Sequence, residues 1–294
     1  MDVAQLPDLP PRPRDSHKGT FGRVLALAGS EEMIGAPVMA GTSALRMGAG
    51  LVQIAVPRSI LSAALSITPE LIGLALTDSS AKRLAEASEK AQAIVMGPGL
   101  GQSRAARKRV LQVIALDKAM VVDADALNLI SRLKSWPVRF KGKAVLTPHP
   151  GEMSRLIRFI GKARVPGDDG GRLQIATELA QALGQVVVLK GYRTVITDGA
   201  RTYVNHTGDS SLAKAGTGDV LTGMIGALLA QKMDRFEAAC LAVYLHGRAG
   251  ELAGEKFGKR CVLAREVICA LSDAVLEYEA RQPQGWALSG GSTA

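Results

Sequence analysis

The sequence predicts a three-layer α/β fold, a mostly parallel central sheet with helices on both faces, with residues 1–294 forming one domain. Three observations predict it. Short apolar or β-branched runs alternate with longer helical ones along the chain. Those runs are continuously apolar, as strands buried on both faces are. No repeat, composition break or joining linker divides the chain. Hydrophobic residues make up 47% of the sequence, enough for a large core, while aromatics are only 4%. That composition suits helices packed on a sheet better than a nucleic-acid surface built on stacking rings.

Residues 23–28 read as the first strand, followed by a helix from Pro37, a good first helical residue, to Met47. Residues 51–56, 93–96, 120–122, 144–146 and 186–189 read as further strands. Helical text around 81–91, 103–116, 126–134, 152–160 and 172–183 separates them. Residues 194–197 and 201–204, around Asp198-Gly199, read as a hairpin. The text then turns helical at 219–231, 235–254 and 264–279. In the first of these, Val220, Leu221, Met224, Ile225, Leu228 and Leu229 recur at helical spacing, and Gly223 and Gly226 allow a close neighbour. The ends, 1–14 and 283–294, lack this periodicity and are expected to be mobile.

The net charge is +9, from 36 basic and 27 acidic residues, which favours anionic ligands in general. The densest basic run, Arg104, Arg107, Lys108 and Arg109, has the spacing of a solvated helix face, so no nucleic-acid partner is expected. Cys240, Cys261 and Cys269 form no CxxC pair and read as buried thiols in a reducing compartment. No apolar run reaches membrane-spanning length, and the proline-rich start is no signal peptide. A cytoplasmic protein with no membrane partner is the expectation.

In a parallel α/β sheet, ligands gather at the carboxyl ends of strands. Here the strands run into Gly29-Ser30, Gly97-Pro98-Gly99-Leu100-Gly101, Asp123-Ala124-Asp125, Thr147-Pro148-His149-Pro150-Gly151-Glu152 and Lys190-Gly191. One such ending is ordinary turn chemistry; together they point to one extended crevice. The Gly97–Gly101 loop lacks P-loop spacing and reads as bare backbone for a bulky ligand, or as a plain turn. His149 is framed by two prolines and either points at a ligand or caps a loop. Glu152 can hold a metal directly or through water, or merely favours a helix start. Lys190 suits a nucleotide phosphate or a salt bridge. Asp123 and Asp125 read either as a carboxylate pair that could hold a metal or as a strand end and a helix cap, the second giving them a structural or indirect role and being favoured.

The segment Ala215-Gly216-Thr217-Gly218-Asp219 is the most informative. Its glycines admit a ligand to the backbone, and the helix start offers unpaired amides to a phosphate. A carboxylate there repels a phosphate unless it takes a proton or holds a metal. Asp219 therefore reads as a general base in phosphoryl transfer, or as an acidic residue favoured by the helix dipole.

Jointly, and in this order, residues 17–30, 35–50, 97–101, 122–127, 147–152, 189–191 and 215–219 resemble the ADP-dependent NAD(P)H-hydrate dehydratases, a branch of the ribokinase-like superfamily. The resemblance covers roughly residues 17–255 and implies a ribokinase-like fold and a carbon–oxygen lyase. That activity restores (6S)-hydrated NADH and NADPH (NADHX and NADPHX) by phosphorylating the ring hydroxyl with ADP and eliminating phosphate, which leaves AMP. By carry-over, Ala36, Gly101, His149 and Asp219 contact the hydrate, joined by Pro150, Gly151 and Glu152; Gly99 is the alternative to Gly101. Lys190, Gly191, Tyr192, Arg193 and Thr194, and the run from Asp209 through Ala215, Gly216, Thr217 and Gly218, line the nucleotide. Mg²⁺ bridges the phosphates with Glu152 nearby through water.

The chain departs from the pattern in two places. It leaves no room for the N-terminal epimerase some members carry, so a separate epimerase is expected in the pathway. Lys214-Ala215 stands where a hydroxyl residue and glycine are expected. The resemblance also implies a homo-oligomer, with a tetramer as the suggested size. A small-molecule hydroxyl kinase of the same superfamily is the alternative; it would keep the phosphoryl group on its product.

Overall fold

The computed structural model describes residues 6–133, 137 and 140–281. Nine strands form one sheet: β1 (Arg23–Leu27), β2 (Leu51–Pro57), β3 (Ile72–Leu76), β4 (Ala93–Met96), β5 (Ala119–Val122), β6 (Lys143–Leu146), β7 (Val186–Leu189), β8 (Val195–Thr197) and β9 (Thr202–Val204). Their order is β3-β2-β1-β4-β5-β6-β7-β8-β9. β1 to β7 pair in parallel, and β8 and β9 close the edge as an antiparallel hairpin.

Alternation along each strand feeds two cores. Val24, Ala26, Val95, Val121, Val145 and Val188 face one layer, with α1 (Gly35–Arg46), α2 (Arg58–Ile67), α8 (Thr217–Ala230), α9 (Arg235–Phe257) and α10 (Ala264–Arg281). Leu25, Leu27, Ile94, Met96, Met120 and Leu146 face the other, with α3 (Ala81–Lys90), α4 (Arg104–Ile114), α5 (Ala124–Ser131), α6 (Pro150–Leu156) and α7 (Asp169–Leu183). This is the three-layer, mostly parallel arrangement the apolar runs predict.

The strand order reverses between β1 and β4, which opens a crevice at their carboxyl ends. α8 lies across β1, β4 and β5 and runs parallel to α1. A Cβ on Gly223 would meet Ala40 O at 2.0 Å, and Gln231 Nε2 donates to Met47 O at 3.1 Å. Ala36 and Asp219 each stand one turn before the Ala40–Gly223 contact, at the crevice end.

The structure departs from the sequence reading in several places. Residues 58–67 and 72–76 form a helix and an edge strand that the reading does not contain. Gly73 interrupts the β-branched signal because a Cβ there would meet Leu61 Cδ1 at 2.6 Å. α1 starts at Gly35 rather than Pro37, α6 at Pro150, and α8 at Thr217. Of the cysteines only Cys240 is buried; Cys261 and Cys269 are exposed. The proline-rich start is docked rather than mobile from residue 6 onward. Leu6 is buried, Pro7 O accepts from Tyr278 Oη at 2.9 Å, and Arg12 donates to Gly48 O at 3.1 Å. The expectations for residues 1–5 and 283–294 lie outside the described residues.

Candidate active site

Two loops meet at the switch point. Gly29 N donates to Pro98 O at 2.8 Å, and a Cβ on Gly99 would meet Ala36 Cβ at 2.8 Å. Asp125 holds the second loop: its Oδ2 accepts from Gly101 N at 2.9 Å and its Oδ1 from Gln102 Nε2 at 3.2 Å. Asp125 thus orders the glycine loop instead of forming a metal pair with Asp123.

His149 is the N-cap of α6. Its Nδ1 accepts from Gly151 N at 3.0 Å, and Glu152 Oε2 accepts from His149 N at 2.8 Å, a reciprocal capping box. Because Nδ1 accepts, the neutral imidazole carries its proton on Nε2, which faces Glu152 Oε1 at 3.4 Å. Burial lowers the His149 pKa, with Lys190 and Arg155 adding to it, so the ring is neutral near pH 7. Burial raises the Glu152 pKa, with Asp123 adding to it and Lys190 pulling it down. The structural readings of both residues are therefore realised: they build the helix start after β6.

Lys190 emerges from β7 into a cluster of carboxylates. Its Nζ donates to Asp123 Oδ1 at 2.6 Å, and a Cβ on Gly218 would lie 3.6 Å from that Nζ. Burial disfavours the ammonium, but Asp123, Glu152 and Asp219 more than offset it, and its pKa lies above the ordinary lysine value. Lys190 thus touches the first turn of α8. Gly216, at φ +92°, makes the entry to that helix, a backbone conformation that suits glycine. Among the described residues, neither the Gly218 nor the Asp219 amide has a protein acceptor.

The Asp219 carboxylate makes no hydrogen bond among the described residues. Burial, with the like charge of Asp123, pushes its pKa up from 3.8 to about 7, against the pull of Lys190. A carboxyl poised there can take and return a proton near neutrality.

On the far side of Lys190 opens a cavity of about 600 Å³. Of the residues expected at the nucleotide, Lys190, Gly191, Tyr192, Arg193, Thr194, Thr217 and Gly218 line it, as do Asp209, Ser210, Leu212 and Ala213. Ala215 and Gly216 do not line it; Gly216 packs against Met39 and Ala264. Ala36, Gly101, His149, Pro150, Gly151, Glu152 and Asp219 lie outside the lining too, on the switch-point side of Lys190. Lys190 and the start of α8 thus stand at the edge of this cavity, between its lining and those residues. Lys214 Nζ turns away and donates to Arg260 O at 2.5 Å.

The cavity has walls the sequence reading misses: Asn205, His206, Thr207, Gly208, Leu221, Val243, His246 and Gly247. The loop after β9 is seated on α9. Thr207 Oγ1 donates to Tyr244 O at 2.8 Å, Gly208 N donates to Glu251 Oε1 at 2.7 Å, and a Cβ on Gly247 would meet Thr207 Oγ1 at 2.2 Å. The polar run Asn205-His206-Thr207-Gly208 was the available signal. His246 had none, since it sits among apolar residues of a long helix. Burial lowers its pKa to about 4, and its Nε2 has no hydrogen-bond partner among the described residues.

Among the described residues no group of three or more His, Cys, Asp or Glu side chains is placed to hold a metal ion. Both oxygens of Glu152 already serve His149. That donor set fits a magnesium carried by nucleotide phosphates and reached through water.

Comparison with known proteins follows the same geometry. The sequence profile of the NAD(P)H-hydrate dehydratase family matches residues 24–273. An ADP-dependent (S)-NAD(P)H-hydrate dehydratase of Neisseria meningitidis is 40% identical over 253 residues, which are 84% of this chain and 82% of that one. A bifunctional NAD(P)H-hydrate repair enzyme of Pyrobaculum aerophilum is 38% identical over 275 residues, 91% of this chain and 53% of that protein. The chain spans about half the length of such bifunctional relatives. The crystal structure of an ADP/ATP-dependent NAD(P)H-hydrate dehydratase from Bacillus subtilis, co-crystallised with ATP/Mg²⁺, superposes with a TM-score of 0.80 at 36% identity, covering 94% of this chain and 96% of that one.

Proposed function

This chain belongs to the NAD(P)H-hydrate dehydratase family, and we propose that the site around Lys190 and Asp219 carries out ADP-dependent dehydration of (6S)-NADHX and NADPHX. The nucleotide occupies the cavity beside Lys190, and the hydrated nicotinamide lies toward Ala36, Gly101 and His149. The observation that carries this reading is the Asp219 carboxyl: buried, free of hydrogen bonds among the described residues, and poised near neutral pH at the start of α8.

The ring hydroxyl oxygen attacks the β-phosphorus of ADP while Asp219 takes its proton. The new O–P bond forms as the bond from that phosphorus to the bridging oxygen breaks, and AMP leaves with the electron pair. Lys190 and the Gly218 and Asp219 amides hold the charge that develops. Magnesium, when bound with the nucleotide, neutralises phosphate charge, with Glu152 nearby through water. The ring nitrogen then pushes electrons into the ring, the carbon–oxygen bond breaks, phosphate departs, and a proton leaves the neighbouring carbon. The reduced nicotinamide ring is restored.

The test is incubation of hydrated NADH with ADP or ATP and magnesium, following absorbance and nucleotide products together. Recovery of reduced-nicotinamide absorbance with stoichiometric AMP and free phosphate from ADP supports the reading. A stable phosphorylated product would assign the chain as a hydroxyl kinase instead. The reading also carries a separate epimerase as pathway partner, a cytoplasmic location and a homo-oligomer. Light scattering of the full chain tests the last.

A further inference from the structure

Asp123 has a geometry its place in the chain does not explain. It occupies the N-cap position of α5, where an aspartate ordinarily accepts from the helix's own amides, yet its side chain makes no cap bond. The carboxylate, 1% exposed, is turned across the sheet instead. One oxygen accepts from Lys190 Nζ at 2.6 Å, and the other accepts from Thr222 Oγ1 at 2.7 Å. Thr222 is fully buried one turn after Asp219. Ala124, next in the chain, holds φ +47°, a strained value for a residue with a Cβ. The fold therefore forgoes a helix cap and tolerates backbone strain to aim this carboxylate at the join of β7 and α8.

We propose that Asp123 is the positioning residue of the active site: its carboxylate ties Lys190 and α8 to the end of β5 and stands as a second buried negative charge beside Asp219. The proposal rests on the role given above to Asp219. Two charged groups act on that base directly, Asp123 and Lys190. Asp123 comes from the β5–α5 join and Lys190 from β7; His149, Glu152 and Arg155 of α6 lie behind Lys190. His246 of α9 is buried and neutral near pH 7. α1 and α10 bring Met39 and Ala264 against the start of α8 at Gly216. Asp123 raises the proton affinity of Asp219 and Lys190 lowers it, so removing each must move the base in opposite directions.

The experiment is a carboxyl-carbon NMR titration of the full chain, free of nucleotide and metal, between about pH 5 and 9. Asp219→Asn identifies the resonance, and the acid limb of kcat/KM for hydrated NADH is measured beside it. Asp123→Asn should lower both the Asp219 midpoint and the acid limb by about one pH unit or more, because the repelling charge is gone and the freed ammonium turns to Asp219. Lys190→Met should raise the midpoint. A folded Asp123→Asn protein whose midpoint and limb match the wild type overturns the proposal. If that variant does not fold, Thr222→Val decides, because it removes one of the two bonds that aim the Asp123 carboxylate: a shifted Asp219 midpoint supports the role, and an unmoved one overturns it. A wild type that turns over no hydrate sinks the proposed reaction, while the NMR midpoints still report on Asp123.

Discussion

Replacing Asp219 with asparagine should destroy activity and stabilise the protein, with a pH dependence that only a buried, perturbed carboxyl produces. Its pKa is pushed from 3.8 to about 7 by burial first and Asp123 second. The folded state therefore prefers the protonated form. The associated penalty is absent below about pH 4, grows as pH rises from there to about 7, and is constant above. That gap corresponds to about 4 kcal/mol at alkaline pH. Rearrangement and water reduce it to roughly 2 kcal/mol, and the helix N-terminus returns about 0.5 kcal/mol by favouring the charge. Asp219→Asn should thus raise Tm by roughly 2–3 °C near pH 8, with the gain shrinking steadily as pH is lowered toward 4. Turnover should fall by about two to four orders of magnitude, the usual worth of a general base, while ADP still binds. Calorimetric melts across pH, paired with hydrate turnover and ADP titration, measure all three. A Tm gain independent of pH, or near-normal turnover, would refute the reasoning.

Three further outcomes are expected. Lys190→Met should weaken ADP binding at least about tenfold, read by calorimetry, since the ammonium is a charge-assisted donor at the phosphate end of the cavity; unchanged affinity would move the nucleotide elsewhere. Gly223→Ala places a Cβ 2.0 Å from Ala40 O, so α1 and α8 must part. Chemical denaturation should show a loss of about 2–3 kcal/mol, and a stability within 0.5 kcal/mol of wild type, roughly the scatter of surface changes, would contradict the close packing. Gly247→Ala pushes Thr207 off α9. It should raise KM for ADP severalfold while leaving KM for the hydrate near its wild-type value, and an equal rise in both would mean that the cavity is not the nucleotide's.

Much of the fold was legible because local signals agreed with it. Val186–Leu189 is continuously apolar, and such a run satisfies both cores at once when its strand lies inside a parallel sheet. β3 was not legible: as an edge strand it contains Gly73, chosen for its fit against Leu61 and not for strand propensity. At the site, Asp219, Lys190 and His149 stood out because each borders an apolar run at a strand or helix boundary. Val243, His246 and Gly247 of the cavity wall did not, since on a long apolar helix a lining residue and a core residue obey the same periodicity.

The sequence by itself determined which residue types stand at the carboxyl ends of the strands, because chain order and apolar length set strand and turn positions locally. Only the tertiary structure decided what those residues do to one another. Asp123 and Thr222 lie 99 positions apart, and Asp123 and Lys190 lie 67 apart, yet each pair meets in one hydrogen bond. Charge interactions depend on distance through space and on exclusion of water. The proton affinity of Asp219 and the direction of the Asp123 carboxylate are therefore properties of the packed sheet.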